Sequence, residues 1–269
     1  MLDRNSPFDT TVRFESEKLA DFAYARLRDA FVRCDIAPGA VVSEAAMARR
    51  LGLGKAPIRA ALARLAADGW VHPAPRRGYL VAPITLGSIQ DVFEMRRALE
   101  PLLAKASPSA AEAAEISRQQ SMADALRNTA SKSAQTSTLQ IAREIRSLLL
   151  AATNNRLLQA TLPHLWDLSD RLEHYLEHCG RKVPDADYWA EVSALALNSH
   201  SATGAIDQAI AHQYVEMERE FLALGRDLPL MASGHKATAA PPSNPTPMST
   251  DADRPFRAAS PVPQDPSKN

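Results

Sequence analysis

Apolar positions recur at helical spacing in three stretches near the start of the chain. Over Glu17–Arg33 they are Leu19, Phe22, Leu27, Ala30 and Phe31, which predicts one helix with that set buried. Ala46, Met47 and Leu51 predict a short second helix, and Ile58, Leu62 and Leu65 a third. Ser43 precedes the second helix as an N-cap, since its hydroxyl can accept from an orphan N–H. Gly52 can take the left-handed conformation that ends a helix, and Leu53 fills the corner behind it. Pro57 falls in the first turn of the third helix, where a missing N–H costs little. After Asp68-Gly69 the period changes. Trp70-Val71 and Tyr79-Leu80-Val81 read as a short hairpin with Arg76, Arg77 and Gly78 at its tip.

No strand pattern follows residue 83. Helical periodicity predicts helices near 86–106, 109–129, 137–153, 155–178, 186–198 and 203–225, with Thr85 as an N-cap and Pro101 kinking the first. The Ser/Thr/Gln-rich stretch Thr129–Thr138 reads as a loop. Residues 229–269 are rich in Pro, Ser, Ala and Thr and hold too little apolar surface to fold. The fold expected is mainly α: a polar arm (1–16), a winged helix-turn-helix (17–83), an antiparallel helical bundle (84–228) and a disordered tail (229–269).

Charge sharpens this picture. The chain as a whole is neutral, with 31 basic and 31 acidic residues. Between Ala45 and Leu80, however, seven Lys/Arg (49, 50, 55, 59, 64, 76, 77) stand against one acid, Asp68. From Leu86 to Met231 the balance reverses to 14 basic and 19 acidic. A basic N-terminal module and an acidic C-terminal one point to nucleic-acid binding by the first alone. In a helix-turn-helix the N-terminal end of the second helix meets base edges in the major groove. Lys55 and Arg59 occupy that end, and Arg59 carries the fork that pairs with guanine O6 and N7. With them, Ser43, Arg49 and the wing residues Arg76, Arg77 and Gly78 are the candidate DNA contacts. Any one of these arginines alone reads more readily as a solvated helix-surface residue than as a DNA contact; the combination is what carries the reading.

Residues 19–83 resemble the DNA-binding domain of GntR-type bacterial transcription regulators. The carrying segments are L-R-D-A-F (27–31), I-A-P-G (36–39), S-E-A-A-M-A-R-R-L-G-L (43–53), A-P-I-R-A-A-L-A-R-L (56–65), D-G-W-V (68–71) and R-G-Y-L-V-A-P (77–83). The stretch 84–101 is similar to the first helix of the all-helical effector domain (FCD-like) of the FadR subgroup. The resemblance implies DNA contacts at Ala45, Lys55, Arg59 and Arg77-Gly78. Where the family commonly has Ser-Arg-Thr-Pro, this chain has Gly54-Lys55-Ala56-Pro57, and Lys55 lacks the bidentate fork. Ala45 stands where an Arg can read a base, so base readout rests mainly on Arg59.

The resemblance also implies a divalent metal held by one Asp and three His. Those positions fall at Ala142, Arg146, near Ala190, and at His212, so only His212 is retained. An Arg beside the site would repel a cation, and the expectation is no metal and no other cofactor. Arg146, His212 and Arg96 could instead hold a small carboxylate effector directly. The plainer alternative is a degenerated pocket with Arg146 exposed or paired to Glu144 or Asp207. His174 and His178, four apart, read as a solvated helix face. No G-x-S-x-G, P-loop or dinucleotide fingerprint is present, so an enzyme is not expected. Two widely spaced cysteines, no membrane-length apolar run and a polar start predict a cytoplasmic protein with no membrane partner. The function expected is a homodimeric, sequence-specific transcription regulator, a repressor, on a double-stranded operator. Its bundle either senses a small organic acid or serves only to dimerise; a protein-interaction adaptor with decayed operator readout is the rival.

Overall fold

The structure is a computed structural model that describes residues 10–127, 132–181 and 202–227. They fall into two compact units that divide at Pro83/Ile84, with Val32–Cys34 grouped with the second. The segments 1–9, 128–131, 182–201 and 228–269 lie outside the described residues, and with them the first residues of the loop expected over 129–138, the expected helix 186–198 and the expected tail.

The first unit opens with α1 (Thr10–Val32), which starts well inside the segment expected to be a loose arm. Its buried stripe is Ala20, Ala23, Leu27, Ala30 and Phe31, while Leu19 and Phe22 are exposed, against expectation. Two apolar stripes overlap on this helix, and the small alanines are the ones packed inward. Strand β1 (Val41–Val42) follows, then α2 (Glu44–Leu51), α3 (Lys55–Ala67), β2 (Val71–Ala74) and β3 (Gly78–Val81). The sheet order is β1-β3-β2, with Val42 opposite Tyr79 and Ala74 opposite Gly78. The pairing of β1 with the hairpin was not expected, because a two-residue strand carries no period. Ser43 caps α2 by accepting from the Ala46 N–H at 3.2 Å, and Gly52 ends that helix at φ 65°. Ile58, Leu62, Leu65, Trp70, Val71 and Val81 are fully buried and form the core with α1. Each contributes about 1.5–3 kcal/mol by leaving water.

The second unit is helical throughout its described residues: α4 (Leu86–Leu99), a 3₁₀ segment (Glu100–Lys105), α5 (Ala110–Arg127), α6 (Lys132–Ala151), α7 (Arg156–His178) and α8 (Ala202–Asp227). A reciprocal Thr85–Ser88 capping box starts α4. Pro101 enters the first turn of the 3₁₀ segment, so the expected kink is a change of helix type. The start of α6 at Lys132 replaces most of the loop expected over Thr129–Thr138. The main core joins α4, α7 and α8 through Phe93, Leu103, Leu162, Trp166, Leu176, Ile206, Ile210 and Met217. A second cluster, with Ile116, Ala123, Ile145 and Leu149, fills the α5–α6 pair.

Candidate nucleic-acid interface

The cap at Ser43 places Glu44 in the first turn of α2, facing α3. Arg59 grips its carboxylate side-on: Nε lies 3.0 and 3.1 Å from the two oxygens and Nη2 lies 2.9 Å from Oε2. The pair sits at the surface, with the Arg59 side chain 66% exposed. Arg59 Nη1 donates no hydrogen bond among the described residues. The far edge of the guanidinium, Nη1 with the second Nη2 proton, is therefore turned out and available. That edge is the one that spans guanine O6 and N7. Hydrogen bonding from Arg59, with a smaller contribution from the Lys55 charge, lowers the pKa of Glu44. The Arg59 pKa is raised in turn by Glu44.

Lys55 is the exposed first residue of α3, behind an N-cap, Gly54, that has no side chain to satisfy the first N–H groups. Those groups and Lys55 together present a positive helix end of the kind that takes phosphate. Arg49 is exposed in the last turn of α2. Arg76 and Arg77 are exposed at the wing tip. Arg77 N–H donates to Ala74 O at 3.0 Å across a turn with Pro75 second and Arg76 third, at φ 62°. Proline second and positive φ third is the type II pattern.

Two expected contacts have a structural reason of their own. The Ser43 hydroxyl is engaged in the α2 cap. Gly78 has φ 109°, and a Cβ there would meet the Val42 carbonyl oxygen at 2.2 Å, so β1 can approach β3 only across a glycine. Arg64, one of the seven basic residues, belongs to the fold: it pairs with Asp21 and covers the Tyr24 ring at 4.5 Å. Tyr24 in turn donates to Asp68 at 2.6 Å, and burial together with that carboxylate pushes its pKa up to about 12. Glu44 escaped sequence reading because an acid in a first helical turn has an ordinary electrostatic explanation.

The three residues expected to hold an effector are not brought together. Arg96 is 1% exposed and is gripped by Glu100, Ser169 Oγ at 3.0 Å and Gln213 Oε1 at 2.9 Å; Trp166 Nε1 donates to the same Glu100 at 2.9 Å. Arg146 is buried, stacks on Trp166 at 4.9 Å and donates to Asp170 at 2.9 Å. Its partner is thus neither Glu144 nor Asp207; Asp207 pairs with Arg97. His212 is exposed, and the α8 side chain that reaches Arg96 is its neighbour Gln213. One residue on a helix is a rotation of about 100°. Asp170 also accepts from Arg143 Nε at 2.9 Å. Burial raises the pKa of Asp170, but Arg146 and Arg143 outweigh it and the net shift is downward.

Of the implied metal positions, Ala142 is buried core, Arg146 and His212 stand as described, and Ala190 lies outside the described residues. Among the described residues no three His, Cys, Asp or Glu side chains cluster in a way that could hold a metal ion. His174 is half-buried and 3.5 Å from Glu177, and His178 Nδ1 lies 2.6 Å from His174 O.

Two family models match the chain, "Bacterial regulatory proteins, gntR family" over residues 19–81 and "FCD domain" over residues 91–213. An HTH-type transcriptional regulator of Agrobacterium vitis is 33% identical over 78 residues, 29% of this chain and 46% of that protein. The HTH-type transcriptional repressor RspR of Escherichia coli (strain K12) is 33% identical over 86 residues, 32% of this chain and 38% of that protein. The chain thus spans less than half the length of these relatives. Escherichia coli McbR/YncC shares the fold with a TM-score of 0.55 at 19% identity, covering 77% of this chain and 96% of that one. A GntR regulator from Rhodococcus sp. RHA1 does so with a TM-score of 0.56 at 20% identity, over 76% and 97%. The chain thus joins a winged helix-turn-helix head of the gntR family of bacterial regulatory proteins to an FCD domain.

Proposed function

We propose that this protein is a sequence-specific transcription regulator that binds a double-stranded operator as a homodimer and represses. The observation that carries the reading is the Arg59–Glu44 fork, which presents the outer edge of a guanidinium at the N-terminal end of α3. Lys55, the free N-terminal amides of α3 and the wing arginines supply phosphate contacts. Two-fold symmetry would set two such heads on related half-sites about one helical turn apart. That RspR is a repressor supports the sign assigned here. No helix among the described residues is long and apolar enough to cross a membrane, in keeping with action on DNA in the cytoplasm.

Two features favour the reading in which the bundle interior no longer takes an organic acid. Asp170 holds Arg146 where the carboxylate of an effector would sit, and Glu100 holds Arg96. Selection of duplexes from a random pool tests the main proposal and needs no candidate operator. Enrichment of an imperfect palindrome is the expected result. Uniform, salt-sensitive binding without enrichment would contradict it and favour an adaptor role.

A further inference from the structure

Tyr79 is the first residue of β3 beyond the wing glycine, and it carries no charge. In an antiparallel sheet, residues directly opposite one another share a face. Tyr79 stands opposite Val42 of β1 and Pro73 of β2, and Val81 stands opposite Val71. Val42, Val71 and Val81 are buried, so this is the inward face of the sheet. Tyr79 is its outermost member on β3 and is only half-buried. Its partner Val42 leads directly into the Ser43 cap and Glu44. The Arg59 pKa is raised first by the hydrogen bond and charge of Glu44 and then, more weakly, by Tyr79, which puts the phenol within electrostatic reach of the guanidinium. The Tyr79 hydroxyl makes no hydrogen bond among the described residues. A donor thus stands beside the Arg59 fork with its proton uncommitted.

The shape of a duplex supplies the acceptor. The phosphates of one strand form the ridge between the major groove and the minor groove. With Arg59 in the major groove and the Arg76–Arg77 tip on the backbone beyond it, that ridge must cross the residues that lie between the two. On β3 that residue is Tyr79. A tyrosine hydroxyl is one of the neutral donors that hold phosphate oxygens. A lysine or arginine at this place would compete with Arg59 for Glu44, whereas a phenol offers a hydrogen bond without a second cation. We propose that Tyr79 is a DNA contact whose hydroxyl donates to the phosphate beside the base pair read by Arg59. It ties the wing to the recognition helix across one strand of the operator. The inference rests on the DNA-binding reading above.

Tyr79→Phe in the full chain removes the oxygen and keeps the ring. On the duplex selected from the random pool it should lose about tenfold in affinity. It should lose the same factor on a scrambled duplex, because a phosphate contact carries no sequence information. The slope of affinity against salt should stay that of the parent, since a neutral donor releases no counterion, while Arg77→Ala should flatten it. Ethylation interference locates the contact: one phosphate per half-site should matter to the parent and not to the variant. Melting without DNA should match the parent. Affinity unchanged on both duplexes would overturn the proposal and leave the Arg59 reading standing. A loss accompanied by a lower melting temperature, or with no phosphate distinguishing variant from parent, would also overturn it. A parent that selects no duplex would sink the DNA-binding reading itself, and this contact with it.

Discussion

Glu44 on α2 holds Arg59 on α3 by the side of its guanidinium, through contacts of 2.9–3.1 Å, and leaves the outer edge facing away from the protein. A guanidinium on a long side chain otherwise loses rotamer freedom when it binds a base. The carboxylate pre-orders it, at the cost of an acid close to where phosphates would lie. The pair is exposed, so its effect is on recognition rather than on folding.

Glu44→Gln should therefore lower affinity for the selected operator several-fold while leaving the melting temperature unchanged, because an amide holds the fork less strongly. The same affinity measurement across increasing salt separates the two effects. Loss of pre-ordering lowers specific binding at every salt concentration, whereas removal of a repulsive charge would raise non-specific binding.

Gly78→Ala should destabilise the DNA-free protein by about 1–3 kcal/mol, since the residue sits at φ 109° and its Cβ would strike the Val42 carbonyl oxygen. Thermal melting without DNA checks this. An unchanged melt would mean that the wing glycine is kept for DNA contact alone.

In the bundle, Asp170→Ala should cost about 3–5 kcal/mol, because it leaves Arg146 buried without its carboxylate. The double variant Asp170→Leu/Arg146→Met should recover much of that loss. Denaturant unfolding of the three proteins measures both steps. A single variant as stable as the parent would show that Arg146 finds another partner.

Glu173 has a distinct pH signature. Burial, and then the Asp170 charge, push its carboxyl up to about 7, with Arg146, Arg96 and Arg143 opposing. The folded state then holds a proton that the unfolded state has released. Between the ordinary carboxyl range, near 4.5, and about 7, stability should fall as pH rises, by at most about 1.4 kcal/mol per unit from this group. Half-buried His174, whose pKa is lowered, contributes the opposite slope. Glu173→Gln should abolish the first contribution, and unfolding free energies at pH 5, 6 and 7 would reveal it as a difference between variant and parent.

The winged helix-turn-helix head was largely legible because its signals are local. A cap at Ser43, a left-handed Gly52, a stripe of Ile58, Leu62 and Leu65, and a turn before Trp70 each declare themselves within a few residues. On α1 the sequence misled, since Leu19 and Phe22 outrank Ala20 and Ala23 in hydrophobicity while only the alanines fit against the core. The bundle interior was hardest to read. Arg96 meets Gln213 across 117 positions and Ser169 across 73, and no local pattern announces such pairs. The choice between His212 and Gln213 turned on one residue of helical register.

The most direct test compares Arg59→Ala and Arg64→Ala on the selected duplex and on a scrambled one. Both variants remove one positive charge from α3, but Arg64 is tied to Asp21 and Tyr24 within the fold. Arg59→Ala should lose roughly ten- to a hundredfold in affinity for the selected duplex and little for the scrambled one, with Arg64→Ala keeping the parent's discrimination. Equal discrimination in parent and Arg59→Ala would contradict the assignment of Arg59 as the base-reading residue and, with it, the central account of this interface.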